Sequence, residues 1–150
     1  MKLIKASKGR YQILLAEKEK DLLLLILRLY PRIPSGHQPL SKTHPEGKVN
    51  QGLLDEALAE ARSENRKALD ALLGDSKRVK QEDSGWRFIL SATDIEWLLL
   101  VLNDVRIGSW IELGSPERPL EALSAENAPA VWAMEMAGAF QMSFLELLEA

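Results

Sequence analysis

The sequence predicts a mostly helical α+β domain, with four main helices and a small antiparallel sheet. Three observations carry that expectation. Long stretches repeat apolar residues at helical spacing, as in Leu53, Leu54, Ala57, Leu58 and Ala61. Two shorter stretches, residues 2–16 and 77–90, alternate lysine or arginine with β-branched and aromatic residues around a glycine. Proline and glycine then punctuate the chain where one pattern stops and the next begins.

The first element is a hairpin. Lys2-Leu-Ile-Lys-Ala-Ser runs into Lys8-Gly9-Arg10 and then Tyr11-Gln-Ile-Leu-Leu. Gly9 supplies the backbone freedom of a tight turn. The alternating lysines suit a sheet with one face in water and edges protected against pairing. A basic hairpin could also touch nucleic acid, but Tyr11 is its one stacking residue. Helix one is expected from Ala16 to before Pro31. Acidic Glu17, Glu19 and Asp21 lie in its early turns, and the run Leu22 to Leu29 is apolar nearly all round.

Residues 31–50 form the main irregular segment, holding four of the seven prolines and both histidines, His37 and His44. A long loop of this kind is either functional or a surface connection. The histidine spacing matches no metal-ligand template. Helix two is expected from about Asn50 to Leu73. Its apolar stripe from Leu53 to Leu73 is interrupted by Glu60-Ala-Arg-Ser-Glu-Asn-Arg66-Lys67, a solvated polar face. Gly74 is a good stop. The strand Trp86-Arg-Phe-Ile-Leu90 should pair with the N-terminal hairpin.

The central helix follows: Ser91-Ala-Thr-Asp-Ile-Glu-Trp97-Leu-Leu-Leu-Val-Leu-Asn103-Asp104-Val-Arg106-Ile-Gly-Ser-Trp110, continuing to about Leu113. Ser91 and Thr93 are both suitable N-caps, and Thr93 with Glu96 has the spacing of a capping box. Gly108 within it costs about 1 kcal/mol against alanine, so close packing is expected there. Pro116 and Pro119 break the chain, and Leu120-Glu-Ala-Leu suggests a short helical turn. The last helix starts near Asn127 and lines one side with Val131, Trp132, Met136, Phe140, Phe144 and Leu148.

All 150 residues fit one domain with a proper core. No early run is long enough to span a bilayer and no signal sequence is evident. The absence of cysteine removes disulfides and thiolate chemistry. A bacterial cytoplasmic address is the default expectation. Net charge is −3, distributed unevenly. Residues 1–50 hold ten Lys/Arg against four Asp/Glu, whereas residues 112–150 hold one against seven. Such a division can be neutralised within the fold, or it can steer a partner or self-association.

Known catalytic patterns are missing. There is no phosphate-binding glycine loop, no His-Glu-x-x-His and no arguable Ser/His/Asp set. No catalytic residue, metal site or cofactor is therefore expected, and the reading leans away from an enzyme. Arg62, Arg66 and Lys67 on helix two interleave with Glu60, Glu64 and Asp70, so nucleic-acid binding there is unlikely and a DNA-binding regulator is a weak alternative. One group of polar residues sits on a buried helix: Glu96, Asn103, Arg106 and Trp110 along one strip, and Asp104 turned toward Trp97, Leu100 and Gly108. The favoured reading is a structural network fixing helix packing, with Arg106 stacked on Trp110. The functional reading is a polar pocket for a small molecule or a partner's side chain.

Trp97-Leu98 followed by Leu102-Asn103-Asp104-x-Arg106 resembles the signature of an uncharacterised bacterial family, the domain of unknown function numbered two-thousand-and-seventeen. Trp132 and Phe140-Gln141-x-x-x-Leu145 resemble its closing helix. The hairpin and Glu19-x-x-Leu22-x-x-Leu25 fit its opening. The family's usual Leu-Gly pair after the arginine is replaced here by Ile107-Gly108-Ser109-Trp110. The resemblance implies a cytosolic, mostly helical protein, encoded in actinobacteria near the adaptor of the Clp protease, and hence regulation or proteostasis. It implies no catalytic residues. From residues and resemblance together, a regulatory or protein-interaction domain without catalytic activity is expected.

Overall fold

A computed structural model describes residues 1–34 and 47–149, without the side chains of 47–49. His37 and His44 lie outside the described residues. Strands β1 (Lys2–Ser7) and β2 (Arg10–Leu15) form the N-terminal hairpin and lead into helix α1 (Glu17–Leu27). Helix α2 (Gly47–Leu73) is followed by β3 (Val79–Glu82) and β4 (Gly85–Ser91). Helix α3 (Ala92–Glu112), a 3₁₀ turn (Pro119–Ala122) and helix α4 (Ala128–Glu149) complete the chain. The architecture is the expected mostly helical α+β arrangement.

The sheet is antiparallel with strand order β1-β2-β4-β3. The expected pairing of the aromatic strand with the N-terminal hairpin is the β2–β4 ladder, where Ile13 faces Phe88 and Tyr11 faces Leu90. Ile13, Leu15, Phe88 and Leu90 all point inward and are buried. Gly85 stands where β4 begins, at φ +139°, and a Cβ there would lie 2.3 Å from the Leu15 carbonyl oxygen. Only glycine allows that approach.

Helix α3 packs against the sheet and α4 against α3, within one apolar core that includes Ile95, Leu98, Leu102, Ala137, Phe140 and Phe144. Burying a large apolar side chain contributes about 1.5–3 kcal/mol each, so this core is a main source of stability. Among the described residues, no helix is long and apolar enough to cross a membrane.

Several local expectations are corrected. Helix α1 stops at Leu27, three residues short of the proline, because Leu29 and Tyr30 turn off in single tight turns onto the Ile26 and Leu27 carbonyls. It is also not buried all round: Leu23, Ile26 and Leu27 are inside, but Leu25 is exposed. Helix α2 begins at Gly47, three residues before the expected Asn50. The cap of α3 is Ser91 with Asp94, not Thr93 with Glu96. The Ser91 hydroxyl accepts from Asp94 N–H at 3.0 Å, and Asp94 accepts from Ser91 N–H at 2.9 Å. β4 ends at Ser91, so that residue is the last with an extended backbone, and Thr93 lies already inside the helix. In α4, Trp132 is turned outward, while Val131, Ala133 and Met134 go in.

Candidate functional site

The polar residues of α3 divide onto two sides of the helix. Asp104 faces the chain that leaves α1. Its Oδ1 accepts from the backbone N–H groups of Arg32 at 2.6 Å and Ile33 at 3.3 Å. Arg62 reaches over from α2, donating to the Ile33 carbonyl at 2.7 Å and standing 4.0 Å from the second Asp104 oxygen. Gly108, one turn on, makes room for this segment: a Cβ there would meet the Arg32 backbone carbon at 2.5 Å. The close packing expected at Gly108 is thus an approach of main chain to helix.

The same side is extended by Trp97. Its Nε1 donates to Asn65 Oδ1 at 3.0 Å, and Asn65 Nδ2 donates to the Tyr30 hydroxyl at 3.1 Å. Arg66 donates to the Tyr30 carbonyl at 3.4 Å. Asp104, Arg62, Asn65 and Trp97 therefore hold α1's exit, α2 and α3 together. Backbone groups that would otherwise be lost to water or left unpaired are satisfied here. Leu100, expected near Asp104, is exposed instead.

On the other side of α3, Arg106 lies against α4. Its Nε donates to Gln141 Oε1 at 2.9 Å and its Nη2 to Asn103 Oδ1 at 3.0 Å. Gln141 Nε2 also approaches Asn103 Oδ1, at 3.5 Å. The aliphatic stem of Arg106 passes Gly138, 3.6 Å from where a Cβ would stand. The expected stacking of Arg106 on Trp110 is replaced by these amide contacts. Trp110 instead donates from Nε1 to the Pro116 carbonyl at 2.8 Å, fixing the chain that follows α3. The cation over an aromatic ring is elsewhere, with Lys20 Nζ 4.5 Å above Trp86. Glu96 is exposed and two turns away from this group, so it does not join the strip.

Arg106, Trp110 and Gln141 border a broad groove of about 950 Å³ between α3, α4 and residues 116–119. Its walls are largely apolar, with Ile107, Met134, Met142 and Leu145, and Glu117 and Glu135 stand at its margin. Met142 is 60% exposed and Leu145 43% exposed, although both are apolar. Exposed apolar side chains gathered at one concavity mark a binding surface more often than scattered ones do.

The charge within this groove is unusual. Among the described residues Arg106 makes no ion pair, and its donors meet only neutral amide oxygens. Half-buried guanidinium groups normally find a carboxylate. Sequence reading identified Asn103, Arg106 and Trp110 but missed Gln141, whose signal is a lone amide in the largely apolar run from Met136 to Leu148 of α4. It also missed Arg62 and Asn65, which looked like an ordinary solvated turn of α2. Among the described residues no group of three or more His, Asp or Glu side chains is placed to hold a metal.

No protein-family model, curated protein or solved structure matches the chain. Function must therefore be read from the geometry of the molecule itself.

Proposed function

We propose that this chain is a protein-interaction domain that works without catalysis and receives an apolar segment of a partner in the α3–α4 groove. The observation that carries the reading is Arg106: a cation without an ion-pair partner among the described residues, beside an exposed apolar wall of Met142 and Leu145. Arginine, methionine and aromatic residues are the types enriched at protein interfaces. A partner carboxylate, or its main-chain carbonyl, would complete the guanidinium's hydrogen bonds. Apolar partner side chains would cover the wall, and basic flanks would suit Glu117 and Glu135.

A small-molecule ligand for the same groove is the second reading. Pockets for small ligands enclose most of the ligand surface, and this groove is broad and open, which favours a chain segment. The resemblance to a family tied to regulation or proteostasis supports the same proposal. A bacterial source and a cytoplasmic location, both inferred from sequence, belong with it.

Selection of displayed random peptides on the purified protein tests it. The expected result is convergence on a short apolar motif with an acidic residue. Binding should fall at least about tenfold with Arg106→Gln, the weight of one charge-assisted hydrogen bond, and should be lost with Leu145→Asp. Absence of any convergent motif, or motifs indifferent to both variants, would defeat the proposal.

A further inference from the structure

The sheet has a second face, and its chemistry is different from that of the groove. Ile13 and Phe88 point inward, so their neighbours Gln12 and Arg87 point outward. The register places Lys5 beside Gln12 on β1 and Lys80 beside Arg87 on β3. Each of the four strands thus contributes a long polar or basic side chain to the outer face. Lys5, Ser7, Lys8, Arg10 and Gln12 surround a hollow of about 540 Å³ that no acidic residue lines.

Edge protection explains only part of this pattern. Lysines on β1 and β3 guard the sheet edges. Arg10, however, lies on β2, a central strand paired on both sides. Among the described residues Lys5, Lys8, Arg10 and Lys80 make no ion pair, and all four are exposed. The one cation of the face that is paired is Arg87, which Glu82 and Gln12 hold. The net acidity of the chain is therefore no guide to this surface, since Glu82, already paired with Arg87, is the one carboxylate within the four strands.

We infer that the outer face of the sheet binds the phosphate backbone of duplex nucleic acid, without reading its sequence. The free cations lie at two places on this face: Lys5, Lys8 and Arg10 around the hollow at the β1–β2 turn, and Lys80 on the opposite edge strand, three strand spacings or about 15 Å away. A duplex presents negative charge at regular, close intervals and can meet both groups in many registers. A protein partner would require an exposed apolar or aromatic anchor. Leu14 and Ile89 are half-buried on this face, and Ile4, 42% exposed at the β1 bulge, stands singly on the edge strand rather than in an apolar patch. The outer face has no aromatic side chain, since Tyr11, Trp86 and Phe88 belong to the inner face or its margin. That same absence removes a stacking platform for unpaired bases, so duplex is favoured over single strands.

The test is fluorescence anisotropy with a labelled duplex of about 24 base pairs, across a salt series from about 50 mM. Expected is binding at low salt, indifferent to sequence, with a log–log salt slope of about −3 to −4, as for Lys5, Lys8, Arg10 and Lys80 each meeting a phosphate. The double variant Lys5→Ala/Arg10→Ala should lower the magnitude of the slope by about two while its thermal unfolding stays that of the parent. No binding at the lowest salt would overturn the inference, as would binding that the double variant retains unchanged. A stronger affinity for oligothymidylate of the same length would overturn it by pointing to base contacts. Light scattering on the protein alone completes the test. Low-salt self-association abolished by the double variant, with no duplex binding, would assign the face to the acidic surface of a second copy instead.

Discussion

Asp94 performs two tasks with one carboxylate. It accepts from Ser91 N–H at the start of α3 and pairs with the Arg78 guanidinium from the chain before β3. Partial burial pushes its pKa up, but the Ser91 backbone N–H, the Arg78 guanidinium and the Ser91 hydroxyl outweigh that, and the net position is below its ordinary 3.8. A carboxylate whose pKa is lower folded than unfolded stabilises the protein above the unfolded value. That contribution disappears as pH falls through the folded one. Asp94→Ala should therefore cost about 1 kcal/mol at neutral pH, the ordinary weight of a helix-capping interaction. Urea unfolding of parent and variant should show the gap constant from pH 7 to about 5 and closing below about 4 as the parent's carboxylate is protonated. A gap that persists undiminished at about pH 2 would assign the effect to lost packing.

At the scale of elements, α2 is the one whose two halves differ. Leu69 and Leu72 are buried, whereas Leu53 is 61% and Leu58 42% exposed on the same stripe. Leu69→Ala should cost about 2–5 kcal/mol, as for other buried leucines, and Leu58→Ala less than about 0.5 kcal/mol, as for surface positions. Urea denaturation measures both; a cost above about 2 kcal/mol for Leu58→Ala would mean that this half is covered. The helix itself was legible in the sequence, because apolar spacing reports the period of a backbone. Its burial was not, because spacing does not say how far the neighbouring elements extend. The same limit applies to Trp132, which continues an apolar pattern yet lies outside. The sheet was legible for a complementary reason: Trp86, Phe88 and Leu90 alternate strictly, and each inward residue found its partner on β2. For the cap of α3 the sequence offers both Ser91 and Thr93, and the capping-box spacing points to the wrong one, since only the end of β4 distinguishes the two hydroxyls.

For the whole molecule, the polar residues of α3 matter because they face in two directions. Asn103, Asp104 and Arg106 could be picked out from sequence as costly polar groups on an apolar helix. Their separate duties could not, because Arg62, Asn65 and Gln141 come from helices whose approach depends on the tertiary arrangement. Arg106 looks onto an open groove, whereas Asp104 joins α3 to the exit of α1 and to α2. Its carboxylate is the acceptor for two backbone N–H groups and the neighbour of Arg62. Asp104→Ala would leave those donors without their acceptor, a penalty of about 1–3 kcal/mol. The loss should not spread evenly. The α3–α4 layer and the sheet share an apolar core in which Asp104 takes no part. Native-state hydrogen exchange should therefore accelerate about 5- to 150-fold, the kinetic equivalent of that penalty, at Arg32, Ile33 and the turns of α2 around Arg62. The amides of β2 and β4 should keep most of their protection. Equal acceleration throughout would show that Asp104 supports global stability alone, and that the α1 exit and α2 do not form a separately opening unit.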